Sequence, residues 1–229
     1  MAPVQPLVTP RRGFIGRLAA ASFALGIGGA LPGRLGAEAE LPRGGDGHPD
    51  IEMWPGDLKG RHRQVFDTVS VNDGLSLVFA MVFLDSNNEA SKLKDDALNA
   101  VVVLRHTAIP IAFTDPIWAK YKLGEAFGIK DPQTKTPAVR NLYYHAREGD
   151  LPFPGMAVEK LQDRGVIFGV CNVALGILSG MRAKAVGVDP EAAKAEWTKA
   201  MIPGLTILPS GVWGVNRAQE HDCKYCYAG

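Results

Sequence analysis

Cysteine is scarce, with three in 229 residues, so a disulfide-dense mini-scaffold is excluded. Neither sign of charge dominates, because 25 Lys+Arg stand against 24 Asp+Glu. No run of Lys and Arg restores the electrostatic footprint that a nucleic-acid binder needs. Several chemical signatures are missing from the mature part of the chain. It has no G-x-S-x-G elbow, no P-loop, no H-E-x-x-H pair and no G-x-G-x-x-G after a first strand; Gly26-Ile-Gly28-Gly29 lies in the leader described next. The remaining composition, 46% hydrophobic with 26 Gly and 16 Pro, is that of a globular chain.

An uncharged apolar stretch, Leu18 to Leu31, follows Arg11-Arg12-Gly13-Phe14 and precedes Ala37-Glu38-Ala39. It falls short of the roughly 20 residues that span a bilayer. A basic start, a short apolar region and a small-residue cleavage pattern make residues 1–39 a signal peptide, and the arginine pair resembles a twin-arginine (Tat) signal. The expectation is export through the Tat translocase to the periplasm and a mature protein with no membrane span. Residues 1–39 hold four Arg and one Glu, which leaves 21 basic and 23 acidic residues and a net charge near −2. Neither nucleic acid nor an anionic membrane attracts such a chain. The signal is compatible with folding or cofactor loading before export, yet no cofactor is named by any motif.

Residues 40–60 are rich in Gly, Pro and charge and are read as an exposed lead-in. One domain, 61–229, follows. Gln64–Val69, Asn99–Leu104, Val166–Cys171 and Gly204–Pro209 are expected strands; the β-branched runs suit a sheet covered on both faces. Leu75–Leu84, Pro116–Phe127, Met156–Arg164, a segment from Ala174 to Ala185, one opened by Asp189-Pro190 and a final one from Ser210-Gly211 to about Tyr225 are expected helices. Residues 130–155 are expected to make a long surface excursion. Alternation of strand and helix predicts a small doubly wound α/β domain with a mostly parallel sheet and helices on both faces.

Sites in such sheets lie beyond the carboxyl ends of the strands. That rule collects Asn72 and Asp73, Arg105 and His106, Cys171 and Asn172, and Ser210 along one rim. Cys171 is the candidate nucleophile, since a following helix lowers a thiol pKa, and Arg105 or His106 supplies positive charge. Against this stands the use of free Cys as a small apolar filler. His106 has a bland alternative as a hydrogen-bonded turn residue, and Asp73 as a turn former. The tail carries His221, Cys223 and Cys226. Its Cys-x-x-Cys pair is read as a disulfide or free thiols, as a redox pair, or as part of a metal site that lacks a fourth ligand.

Val101-Val-Val-Leu-Arg-His106, Arg164-Gly165-Val-Ile-Phe-Gly-Val-Cys171-Asn172 and Pro203-Gly204-Leu-Thr-Ile-Leu-Pro-Ser-Gly-Val212, with Arg217, Ala218, Gln219 and Glu220, resemble the DsrE/DsrF-like family, in a Tat-exported branch. The resemblance spans about residues 61–225. It implies a flavodoxin-like three-layer fold, assembly into homo- or hetero-oligomers, and sulfur carried as a Cys persulfide between a donor and an acceptor protein. Cys171 would then bear the sulfur. The family's working Cys does not always occupy this strand end, and Cys223 and Cys226 have no place in its pattern. Three functions follow: sulfur transfer or thiol redox at Cys171, a non-catalytic oligomeric ligand- or partner-binding module at the same rim, and metal binding by the tail.

Overall fold

β-Branched runs in this chain become the inner strands of one sheet. The computed structural model describes residues 51–229, so the expected export signal and the first part of the expected lead-in lie outside the described residues. The strands are β1 (His62–Ser70), β2 (Leu98–Thr107), β3 (Ile167–Cys171), β4 (Thr206–Leu208) and β5 (Lys224–Tyr227). Their order is β4-β3-β2-β1-β5, and every neighbouring pair is parallel. The helices are α1 (Leu75–Ser91), α2 (Asp115–Lys120), α3 (Leu123–Ala126), α4 (Val158–Asp163), α5 (Asn172–Val186), α6 (Pro190–Lys199) and α7 (Gly211–Glu220). This is the expected flavodoxin-like α/β architecture, and the described residues form one compact unit.

Successive residues of a strand point to opposite faces, and the packing follows that rule. Phe66, Val102, Leu104, Phe168 and Val170 join the main core beneath α1 and α5. Val65, Val101 and Val103 join a smaller cluster with Trp54, Leu208 and Ala218. Val101 to Leu104 are wholly buried, at about 1.5–3 kcal/mol for each such side chain. The helices bury one side each, though the expected face through Leu178, Met181 and Ala185 gives way to one through Leu175, Ser179 and Ala183 on α5. Leu77, Ala80 and Leu84 face inward on α1, and Ala193 and Trp197 do so on α6. Asp189 caps α6 by accepting from the Ala192 N–H at 2.8 Å, with Pro190 in the first turn.

The chain from β4 must reach the far side of β1, and it crosses over the smaller cluster to do so. α7 makes that crossing. It lies close to the sheet because Gly211 and Gly214 have no side chains; a Cβ at the first would strike the Arg105 stem and one at the second would strike Leu208.

Three expectations are corrected. The 116–127 helix is two short helices, because Lys122 takes left-handed backbone (φ 50°) between them. The final helix stops at Glu220, Asp222 turns the chain at φ 64°, and Lys224–Tyr227 pairs with β1 as a fifth strand. The 130–155 segment is no purely superficial excursion. Arg140 donates from Nε to Asp131 at 2.8 Å and from its two terminal nitrogens to Asp150 at 2.5 and 2.6 Å, with at most 7% of any of the three side chains exposed. Asn141 beside it donates to the carbonyls of Ile111 and Phe113. These bonds seat the segment on the core.

Burial works against the Asp131 carboxylate, but the Gln133 amide and Arg140 outweigh it and hold its pKa low. For Asp150 the bond to Arg140 is the main cause of a lowered pKa. Both folded pKa values therefore lie below the unfolded ones. Their stabilisation is complete above the ordinary carboxylate range, near 4, and is lost as pH falls through the folded values. Arg140→Met strands two buried carboxylates and is expected to cost about 3–5 kcal/mol in urea unfolding at neutral pH. That deficit should shrink on acidification; a deficit of the same size at low pH would contradict the ion-pair origin.

Candidate functional site

Cys171 ends β3 and is the N-cap of the 15-residue α5. Its Sγ accepts the Ala174 N–H at 3.3 Å, and the residue is 6% exposed. A thiolate here would gain from that amide and from the positive end of the helix. Asn172, the first residue of α5, is also buried. Ser210 caps α7 in the same manner, its Oγ accepting from the Trp213 N–H at 3.1 Å.

Arg105 and His106 lie inside β2 rather than after it. Arg105 turns toward α7. It donates from Nε to Asp67 Oδ1 at 2.5 Å and from Nη2 to Asp67 Oδ2 at 2.9 Å. Tyr225 of β5 donates its hydroxyl proton to the same carboxylate at 2.9 Å. The Asp67 carboxylate is the main reason that the Arg105 pKa is raised, and Cys171 lies near enough to add a smaller electrostatic contribution. The Tyr225 hydroxyl is likewise pushed up, chiefly by its bond to Asp67. His106 is exposed, with left-handed backbone (φ 51°), where the β1–β2 register slips between Thr68 and Ser70. It is a bulge residue, not a turn residue. Asn72 and Asp73, both exposed, lead into α1 with φ of 38° and 50°.

The structure thus brings Arg105 toward Cys171 and sets His106, Asn72 and Asp73 apart from that pair, with no hydrogen bond to either among the described residues. It adds Asp67 and Tyr225, which the strand-end rule did not select. Asp67 had a signal of its own, a single carboxylate within Val65-Phe66-Asp67-Thr68-Val69. A charge on an otherwise buried strand needs a partner.

The tail thiols lie apart. Cys223 is buried in the smaller cluster and Cys226 packs against the main core on the other face. All three cysteines are free. Burial pushes the Cys223 thiol up to about 11 and raises that of Cys226 as well. The His221 carbonyl accepts from Arg63 at 3.2 Å. Among the described residues no three His, Cys, Asp or Glu gather to hold a metal, and no helix is long and apolar enough to cross a membrane.

No family model and no curated protein matches the chain. Among solved structures it is similar to a protein of unknown function from Methanobacterium thermoautotrophicum, at 17% identity and a TM-score of 0.38, over 72% of this chain and 98% of that one.

The separation of the tail thiols has a direct consequence. Protein purified without reductant and then denatured should titrate three free thiols per chain with Ellman's reagent. In the folded state at pH 8, Cys226 should alkylate before Cys223. Two missing thiols, recovered by reduction, would show a Cys223–Cys226 disulfide and contradict the opposite-face arrangement.

Proposed function

We propose that the chain is an exported, oligomeric DsrE/DsrF-like protein that carries sulfur on Cys171. The observation that supports this most is the placement of the Cys171 thiol at the carboxyl end of β3, on the N-cap of α5, with the Ala174 N–H bonded to sulfur. The family resemblance along 61–225 and the Arg11-Arg12 leader support the family and the periplasmic location. The step is a sulfur transfer. The Cys171 thiolate attacks the terminal sulfur of a polysulfide dianion and an S–S bond forms to Cys171. The bond from that sulfur to the rest of the chain breaks, and the shortened polysulfide leaves with the electron pair and both negative charges. The persulfide keeps one negative charge, and no external oxidant is consumed. Attack by an acceptor thiolate on the outer sulfur would pass it on and return Cys171 as thiolate.

A second reading, a binding module without catalysis at the same rim, draws on the 6% exposure of Cys171 and on the engagement of Arg105 by Asp67. A buried thiol reacts slowly, and a paired guanidinium adds little net positive charge.

One experiment separates the two. The folded full-length protein is incubated with polysulfide at neutral pH, alkylated and mapped by mass spectrometry. Sulfur transfer predicts one added sulfur on Cys171, lost in Cys171→Ser and kept in Cys226→Ser. An unmodified Cys171 under conditions that modify Cys226 leaves the binding reading.

A further inference from the structure

The other end of the sheet holds a second candidate site. Because β5 is the edge strand, α1 packs over β1 and β2, while the helix packed on β5, α7, is on the opposite face. The α1 side of the β1–β5 pair is therefore open where the strands begin. A groove of about 590 Å³ lies there, within the roughly 300–1,000 Å³ typical of small-molecule sites.

Its charge is lopsided. Arg61, Arg63 and Lys224 line it against a single carboxylate, Asp222. Arg63 is committed to the fold: it donates to the Gly60 carbonyl at 2.9 Å and the His221 carbonyl at 3.2 Å, and sits 3.6 Å from Asp222. Asp222 is thereby offset. Arg61 and Lys224 are exposed, and their side chains, like that of His62, make no hydrogen bond or ion pair among the described residues. Two full positive charges and an imidazole thus converge on one concavity. Gln64 and Asn87 add amide groups and Phe83 an apolar wall.

We infer that this groove binds a small phosphate-bearing anion, with Arg61 and Lys224 as its charge partners. A guanidinium matches the oxygen spacing of phosphate and an ammonium adds a point charge. A diphosphate meets both cations at once, and Phe83 offers a surface to whatever organic part the phosphates carry. Cys171 and the rim residues of the sulfur-transfer proposal are not among the lining residues, so the two proposals stand or fall separately.

The test uses inorganic pyrophosphate as probe, titrated at constant ionic strength into the ¹⁵N-labelled full-length chain. Saturable amide shifts are expected at 61–64, Asn87 and Lys224. Arg61→Gln with Lys224→Gln should weaken binding about tenfold, in line with charge-assisted bonds to an anion. Asp222→Asn keeps a residue tolerant of left-handed backbone and removes the only carboxylate, so binding should tighten; this variant reports even if the double variant folds poorly. Cys171→Ser should leave the affinity unchanged. Non-saturating shifts, shifts spread over other surface cations, indifference to both sets of substitutions, or tighter binding of citrate than of pyrophosphate would each overturn the inference.

Discussion

One buried carboxylate organises the half of the molecule that faces α7. Asp67 stands in β1 with its side chain 5% exposed, and a charge in that position persists only if it is paired and hydrogen-bonded. Arg105 reaches it from β2 and Tyr225 from β5. Three neighbouring strands are thus tied by side chains as well as by their ladders. The tie matters most for β5, a four-residue edge strand whose ladder to β1 is short. It also sets the chemistry of the rim. With its guanidinium held by Asp67, Arg105 brings little unbalanced charge to Cys171, and the thiol depends on the first turn of α5 for whatever stabilisation its anion receives.

The inner strands and the packed helices were legible because their signals are continuous. Val101–Leu104 and Phe168–Val170 read as apolar runs since a parallel strand is covered on both faces, and Asp189-Pro190 announces a helix whose cap forms as the residues require. What escaped reading depends on partners distant in sequence. Lys224–Tyr227 is too short and too mixed to declare a strand, and its pairing comes from β1. Arg140 looks like a solvated loop charge until Asp131 and Asp150 fold around it. At the site, the strand-end rule found Cys171 and Arg105 and overlooked their separation from His106. His106 falls on a bulge with left-handed backbone, where the register of β2 against β1 slips, and a slip of one residue leaves no mark in the hydrophobic pattern.

α7 links the two ends of the sheet. Its first residue, Gly211, packs on the Arg105 stem at the carboxyl rim, and the turn after its last residue delivers Asp222 and Lys224 to the amino-end groove. One crossover therefore packs on Arg105 at one end of the sheet and brings charged residues to the groove at the other.

Burial of Cys171 sets a size limit on its chemistry. A protein acceptor cannot approach an Sγ that is 6% exposed without moving the rim, whereas a linear polysulfide ends in a single atom and needs only a narrow approach. Loading by a small sulfur species thus makes less demand on the structure than exchange with a protein thiol. The product changes that balance. A persulfide extends the side chain by one S–S bond, about 2 Å, and it is the outer sulfur that an acceptor attacks. On the sulfur-transfer proposal, the buried thiol would therefore be shielded from protein thiols when empty and reach further toward them when charged. Under that proposal, the recess that slows the first step would give the second its selectivity.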